Sequence, residues 1–132
     1  MINIAINGKK RKMGQVVAEI VTTAFSDKAR ISYGIDVAAD NTGEIPVYAG
    51  AKGIPSDAKA DVIIDFSNPV ALPGLLEYAV TNNIAVVVAT TGLSKEDEKL
   101  MSEASKKIPL FWSANMSLGI CLLKELAKKA AA

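Results

Sequence analysis

Ile2-Asn3-Ile4-Ala5-Ile6-Asn7-Gly8-Lys9-Lys10-Arg11-Lys12-Met13-Gly14 opens the chain, and its reading sets the fold. The apolar run Ile2–Ile6 has the pattern of a buried strand. A glycine-bearing turn follows. From Met13 to Phe25 apolar residues recur at helical spacing: Met13, Val16, Val17, Ile20, Val21 and Ala24. Strand, glycine turn and helix together form the first unit of an α/β fold.

The alternation continues along the chain. Ile31–Val37 reads as a second strand and Ile45–Tyr48 as a short third one between Gly43 and Gly50. Lys52 to Lys59, with Gly53 and Pro55, reads as a loop. Asp61–Asp65 is a strand with a Val-Ile-Ile centre. Asn68-Pro69 opens a helix to about Thr81, and the early Pro73 predicts an irregular or shifted start. Ile84–Val88 is a strand. Ser94, with Asp97 at the capping-box position, starts a helix to about Lys106. Ile108–Trp112 is the last strand. A final helix runs from about Ser117, with Ile120, Leu123, Leu126, Ala127 and Ala130 on one face. Strands rich in Val and Ile, each followed by a helix, predict a single domain with a Rossmann-like doubly wound parallel sheet.

Composition narrows the function. The chain has 132 residues, half of them hydrophobic, enough for one domain with a real core. Fifteen basic against 14 acidic residues give a net charge of +1. That balance points away from nucleic acid and from anionic membranes. No apolar stretch approaches a membrane span, and Met1 leads straight into a strand where a signal peptide would stand. The cytoplasm is the expected compartment. Histidine is absent, which excludes histidine acid–base chemistry and histidine metal ligands. With a single cysteine, Cys121, no internal disulfide is available and no metal site is expected. Cys121 falls on the apolar stripe of the last helix and reads as a core residue.

In doubly wound sheets, ligands sit beyond the carboxyl ends of the strands, so the loops after each strand carry the argument. The turn after the first strand is where a pyrophosphate would meet backbone N–H groups and a helix N-terminus. Gly8 permits the turn and Gly14 allows close helix–strand packing, but the usual middle glycine is missing. An ordinary tight turn would show the same two glycines. The second strand ends near Asp36, 22 residues after Gly14. A carboxylate there can accept both adenosine-ribose hydroxyls, or it can cap the following turn. Val37 stands where an arginine for a 2′-phosphate would be expected, which favours NADH. The basic run Lys9–Lys12 pulls the other way, unless it is only a solvated loop. The other strand ends carry Asp65-Phe66-Ser67-Asn68-Pro69, Ala89-Thr90-Thr91-Gly92 and Ser113-Ala114-Asn115-Met116-Ser117. Each is small and polar, and helix capping alone would account for any one of them.

Four of these segments, in order, carry a resemblance: Lys12-Met13-Gly14, Asp65-Phe66-Ser67-Asn68-Pro69, Thr90-Thr91-Gly92 and Ala114-Asn115-Met116-Ser117-Leu118-Gly119. From Met1 to about Ala130 the sequence resembles the nucleotide-binding domain of the dihydrodipicolinate reductases, or 4-hydroxy-tetrahydrodipicolinate reductases, of bacterial lysine (diaminopimelate) biosynthesis. The resemblance implies NADH or NADPH as cofactor and a cyclic imine-like substrate. It places the pyrophosphate on Gly8, Lys9, Lys10, Arg11, Lys12 and Met13, and the adenosine ribose on Asp36. It places the nicotinamide ribose near Ala89, Thr90 and Thr91, and the nicotinamide end along Ser113, Ala114, Asn115 and Met116.

Two departures shape the expectation. The family loop reads Gly-x-x-Gly-Arg-Met-Gly, whereas Arg11 and Lys12 stand at its middle glycine and arginine. If the backbone at Arg11 requires positive φ, the cost is on the order of 1 kcal/mol. The side chain would also crowd the pyrophosphate, so dinucleotide binding is expected to be weakened. The second departure is the family's substrate and tetramerisation domain, with its histidine-rich segment and lysine, for which this sequence has no counterpart. The chain alone is therefore expected to bind cofactor without catalysing, with no catalytic residue of its own, and to self-associate through apolar surface left exposed. The alternatives are a stand-alone dinucleotide-sensing module and a degenerate domain kept for structure.

Overall fold

The computed structural model describes residues 1–113 and 118–131, with the backbone alone at 118–121 and 124. Among the described residues six strands and four α-helices follow in the order β1 (Ile2–Asn7), α1 (Lys12–Ala24), β2 (Ala29–Asp36), β3 (Val47–Ala49), β4 (Val62–Asp65), α2 (Leu72–Asn82), β5 (Ala85–Val88), α3 (Lys95–Ser105), β6 (Leu110–Trp112) and α4 (Leu118–Ala131). All strand pairs are parallel. The strand order is β3-β2-β1-β4-β5-β6. The order reverses between β1 and β4, which opens a crevice at their carboxyl ends. The Rossmann-like doubly wound sheet expected from the alternation is thus present.

Side-chain alternation in β1 divides the core. Ile4 and Ile6 pack with Ala18, Val21 and Ala29 on the α1 side. Ala5 faces the other way and joins Ile35, Ile63, Val86 and Val88 beneath Leu72, Leu75 and Leu76 of α2 and Met101 of α3. Each such fully buried aliphatic side chain contributes roughly 1.5–3 kcal/mol of transfer free energy.

The structure moves several expected boundaries. Helix α2 is preceded by a 3₁₀ turn, Pro69–Ala71, in which Asn68 Oδ1 accepts from Ala71 N at 3.3 Å. Pro73 then sits in the first turn of α2, where its missing N–H costs nothing. This is the irregular start that the two prolines predict. Another 3₁₀ turn, Ala51–Gly53, lies within the stretch read as loop. The capping box of α3 is formed as expected: Ser94 Oγ accepts from Asp97 N at 3.2 Å, and Asp97 Oδ2 accepts from Ser94 N at 2.8 Å.

The expected apolar stripe of α1 is corrected. Gly14, Ala18 and Val21 are its buried residues, while Met13, Val16 and Ile20 are 51%, 39% and 45% exposed. Ala24 is exposed as well. Small residues face the sheet because α1 approaches it closely: a Cβ on Gly14 would overlap the carbonyl oxygen of Gly8. On α4, Leu123 and Leu126 of the expected apolar face are exposed. The side chains of Ile120 and Cys121 lie outside the described residues. No helix among the described residues is long and apolar enough to cross a membrane.

Candidate nucleotide-binding crevice

Parallel register aligns the strand ends. Asn7 of β1 stands opposite Ile35 of β2 on one side and Asp65 of β4 on the other, and Asp65 stands opposite Val88 of β5. The loops leaving these strands therefore converge on one edge.

The β1–α1 loop turns at Gly8, whose φ is +80°. A Cβ there would meet the carbonyl carbon and oxygen of Phe66 at 2.9 Å, so glycine is needed for both reasons. Gly8 N donates to Ile35 O at 2.8 Å, and Arg11 N donates to Gly8 O at 3.0 Å. Arg11 occupies the N-cap of α1 with φ −75° and ψ 157°, ordinary extended backbone. The strain considered for Arg11 does not arise. Nor does Arg11 supply a side-chain acceptor, so the first-turn N–H groups of α1 receive no cap from it.

Asp36 closes the β2 end of this loop. Its Oδ2 accepts from Lys10 N and its Oδ1 from Val37 N, each at 2.8 Å. Each oxygen keeps a further lone pair. The turn-capping reading of Asp36 is thus correct, and it leaves the carboxylate able to accept from a ligand. A cleft of about 400 Å³ opens beside it, walled by Gly8, Arg11, Asp36, Gly50, Asn68 and Gly74 among others. A second cleft, about 290 Å³, is lined by Arg11, Lys12, Met13, Ser67, Ala89, Thr90 and Thr91. Arg11 borders both, at their junction.

The basic run is split. Lys9 lays its stem over Gly34, where an added Cβ would come within 2.6 Å of Lys9 Cγ. Lys10 Nζ reaches Asp40 Oδ2 at 3.5 Å. Both lysines line a separate surface cleft toward β3, with Asp40 and Thr42. Only Arg11 and Lys12 turn to the crevice. Asp40 is itself fixed, accepting from Thr42 Oγ1 at 2.6 Å and Thr42 N at 3.0 Å. The Thr42 hydroxyl, then its N–H, hold the Asp40 carboxyl below its usual pKa, with a smaller contribution from Lys10.

A buried network underlies the crevice, and sequence reading did not place it. Asp65 has no exposed surface. Its Oδ1 accepts from Asn7 Nδ2 at 2.9 Å, Ser67 Oγ at 2.6 Å and Ser67 N at 3.1 Å. Its Oδ2 accepts from Thr90 Oγ1 at 2.9 Å. One carboxylate thus ties the ends of β1, β4 and β5 together. The signal was a polar residue closing each of two largely apolar strands, but only register shows that they meet. Thr90, expected at the nicotinamide ribose, spends its hydroxyl on Asp65, while Thr91 is exposed beside it. Ser113 follows β6 and donates its N–H to Val88 O at 3.5 Å. Ala114, Asn115 and Met116 lie outside the described residues. Sequence reading also missed the far wall of the first cleft, from Ala49 to Lys52.

Strand order, glycine turn, uncapped helix N-terminus and a carboxylate at the end of β2 together define the Rossmann class of fold. Residues 2–116 match the family described as dihydrodipicolinate reductase, N-terminus. The chain belongs to that oxidoreductase family and corresponds to its N-terminal domain. It is 45% identical over 99% of its length to the 4-hydroxy-tetrahydrodipicolinate reductase of Caldanaerobacter subterraneus subsp. tengcongensis, covering 50% of that protein. With the Clostridium novyi reductase the identity is 38%, over 97% of this chain and 49% of the relative. The chain thus spans about half the length of the curated relatives it matches. The dipicolinate-bound dihydrodipicolinate reductase from Paenisporosarcina sp. TG-14 superposes with a TM-score of 0.78 at 23% identity, over 99% of this chain and 54% of that one. The Bordetella pertussis WlbA dehydrogenase, solved with NADH and UDP-GlcNAcA, shares the fold at a TM-score of 0.72 and 14% identity, over 97% of this chain and 42% of that one.

Proposed function

We propose that this chain is the cofactor-holding half of a cytoplasmic 4-hydroxy-tetrahydrodipicolinate reductase of lysine biosynthesis, and that it binds NADH or NADPH across the strand-end crevice. The observation that carries this reading is the alignment of the Gly8 turn, the α1 N-terminus and Asp36 along one edge. Backbone N–H groups of the loop and of the first turn of α1 hold the pyrophosphate, with the helix dipole behind them. The Arg11 guanidinium adds charge at the junction of the two clefts. Asp36 accepts from the adenosine ribose hydroxyls. Ala89, Thr90 and Thr91 wall the nicotinamide half, with Asp65 fixing Thr90 from beneath. When bound, the dinucleotide supplies a hydride for substrate reduction.

In this reading the 132-residue chain alone does not turn substrate over. Its reductase relatives are about twice as long, and hydride transfer requires a substrate clamp and a proton donor as well as a cofactor. The ordinary backbone at Arg11 removes one reason to regard the domain as degenerate. Titration with NADH, followed by its fluorescence, tests the binding. Saturable binding to the folded chain is expected, and its absence contradicts the proposal. Turnover by the chain alone contradicts the second part.

A further inference from the structure

We propose that the crevice selects NADH over NADPH, and that Asp40 helps set this choice by drawing Lys10 away from the adenosine ribose. The inference rests on the dinucleotide reading above. A 2′-phosphate brings a charge of about −1.5 to −2 to the ribose edge, where NADH has a hydroxyl. Asp36 is fixed at that edge by two backbone N–H groups at 2.8 Å and cannot swing aside without breaking them. A hydroxyl satisfies its spare lone pairs, whereas a phosphate is repelled unless a cation stands close by.

Of the four cations that the sequence places in the loop, Arg11 alone lines the cleft with Asp36, and it does so from the N-cap of α1, where it also borders the second cleft. Lys9 lies over Gly34 and faces the cleft toward β3. Arg11 sits at the junction of the two halves, and Lys12 lines the nicotinamide half. Val37, directly after Asp36, is 86% exposed and carries no charge. Lys10 is the cation whose backbone touches Asp36, and its ammonium is turned to Asp40, 3.5 Å away. Asp40 is no passive surface acid. Its side chain takes two bonds from Thr42, and its backbone exchanges two bonds with Val47 at 2.8 Å each. It forms a fixed anchor outside the crevice. Lys52, on the opposite wall, also lines a neighbouring cleft with Glu77.

An exposed ion pair is individually weak, so removing Asp40 frees Lys10 without disturbing the fold. Calorimetric titration with NADH and with NADPH at one ionic strength tests both parts. NADH is expected to bind about tenfold or more tightly than NADPH. Asp40→Ala is expected to raise NADPH affinity about threefold while changing NADH less than about twofold, and adding Lys10→Ala is expected to cancel that gain. Equal or tighter NADPH binding by the unaltered chain overturns the selectivity and leaves the dinucleotide reading standing. An Asp40→Ala chain with unchanged NADPH affinity overturns the role of Asp40. A folded chain that binds neither cofactor overturns the inference and the proposed function together.

Discussion

Two aspartates flank β1 at nearly the same height of the sheet, and they do opposite work. Asp65, at the end of β4, is wholly buried and takes its bonds from Asn7, Ser67 and Thr90. Asp36, at the end of β2, is held by backbone N–H groups and borders an open cleft. The first carboxylate builds the edge on which a ligand would lie. The second is presented on that edge. Neighbouring strand and packing, more than residue type, decide which task a strand-end carboxylate performs.

Substitutions should separate the two. The largest effect is expected at Asp65→Ala, which takes the acceptor from four donors on Asn7, Ser67 and Thr90. The Asn7 and Thr90 groups are buried, at about 1–3 kcal/mol each, and the half-buried Ser67 adds to this, so the loss is about 3 kcal/mol or more of stability. Urea unfolding measures it; a loss below about 1 kcal/mol would make the network incidental. Gly14→Ala comes next. Its Cβ would overlap the Gly8 carbonyl oxygen. We expect a loss of about 2 kcal/mol, in the range of overpacked sites, together with weaker NADH binding because the turn itself must shift. Asp36→Ala should leave stability within about 1 kcal/mol, since it removes only partly exposed bonds, yet lower NADH affinity about tenfold. If Asp36→Ala were as destabilising as Asp65→Ala, the contrast between them would fail. Arg11→Ala is the mildest, with NADH affinity falling about threefold and becoming less salt-dependent. Arg11→Gly should not raise affinity, because no backbone strain is there to relieve.

The contrast also shows what could be read from the sequence. Strand–helix alternation and the polar strand ends were legible, because Val- and Ile-rich runs and small polar turns are local patterns. Asp36 was legible through its distance from Gly14. Asp65 was not, because its partner Asn7 lies 58 residues away and only the β1–β4 register joins them. The basic run was read as one cationic patch. Gly34 and Asp40, both distant in sequence, divide it. The exposed Met13, Val16 and Ile20 were misassigned for a related reason. Hydrophobic periodicity favoured the bulkier residues, whereas the close approach of α1 to the Gly8 turn requires glycine at Gly14, and the buried side of the helix runs on through Ala18 and Val21.

The central claim is that the edge built by Asp65 and presented at Asp36 receives a nicotinamide dinucleotide. Amide chemical-shift mapping of the folded chain during an NADH titration tests it most directly. The account predicts shifts concentrated at Gly8, Lys10 to Met13, Asp36, Val37 and Ala89 to Thr91, with little change on α3. Saturable shifts located elsewhere, or none at all, would contradict it.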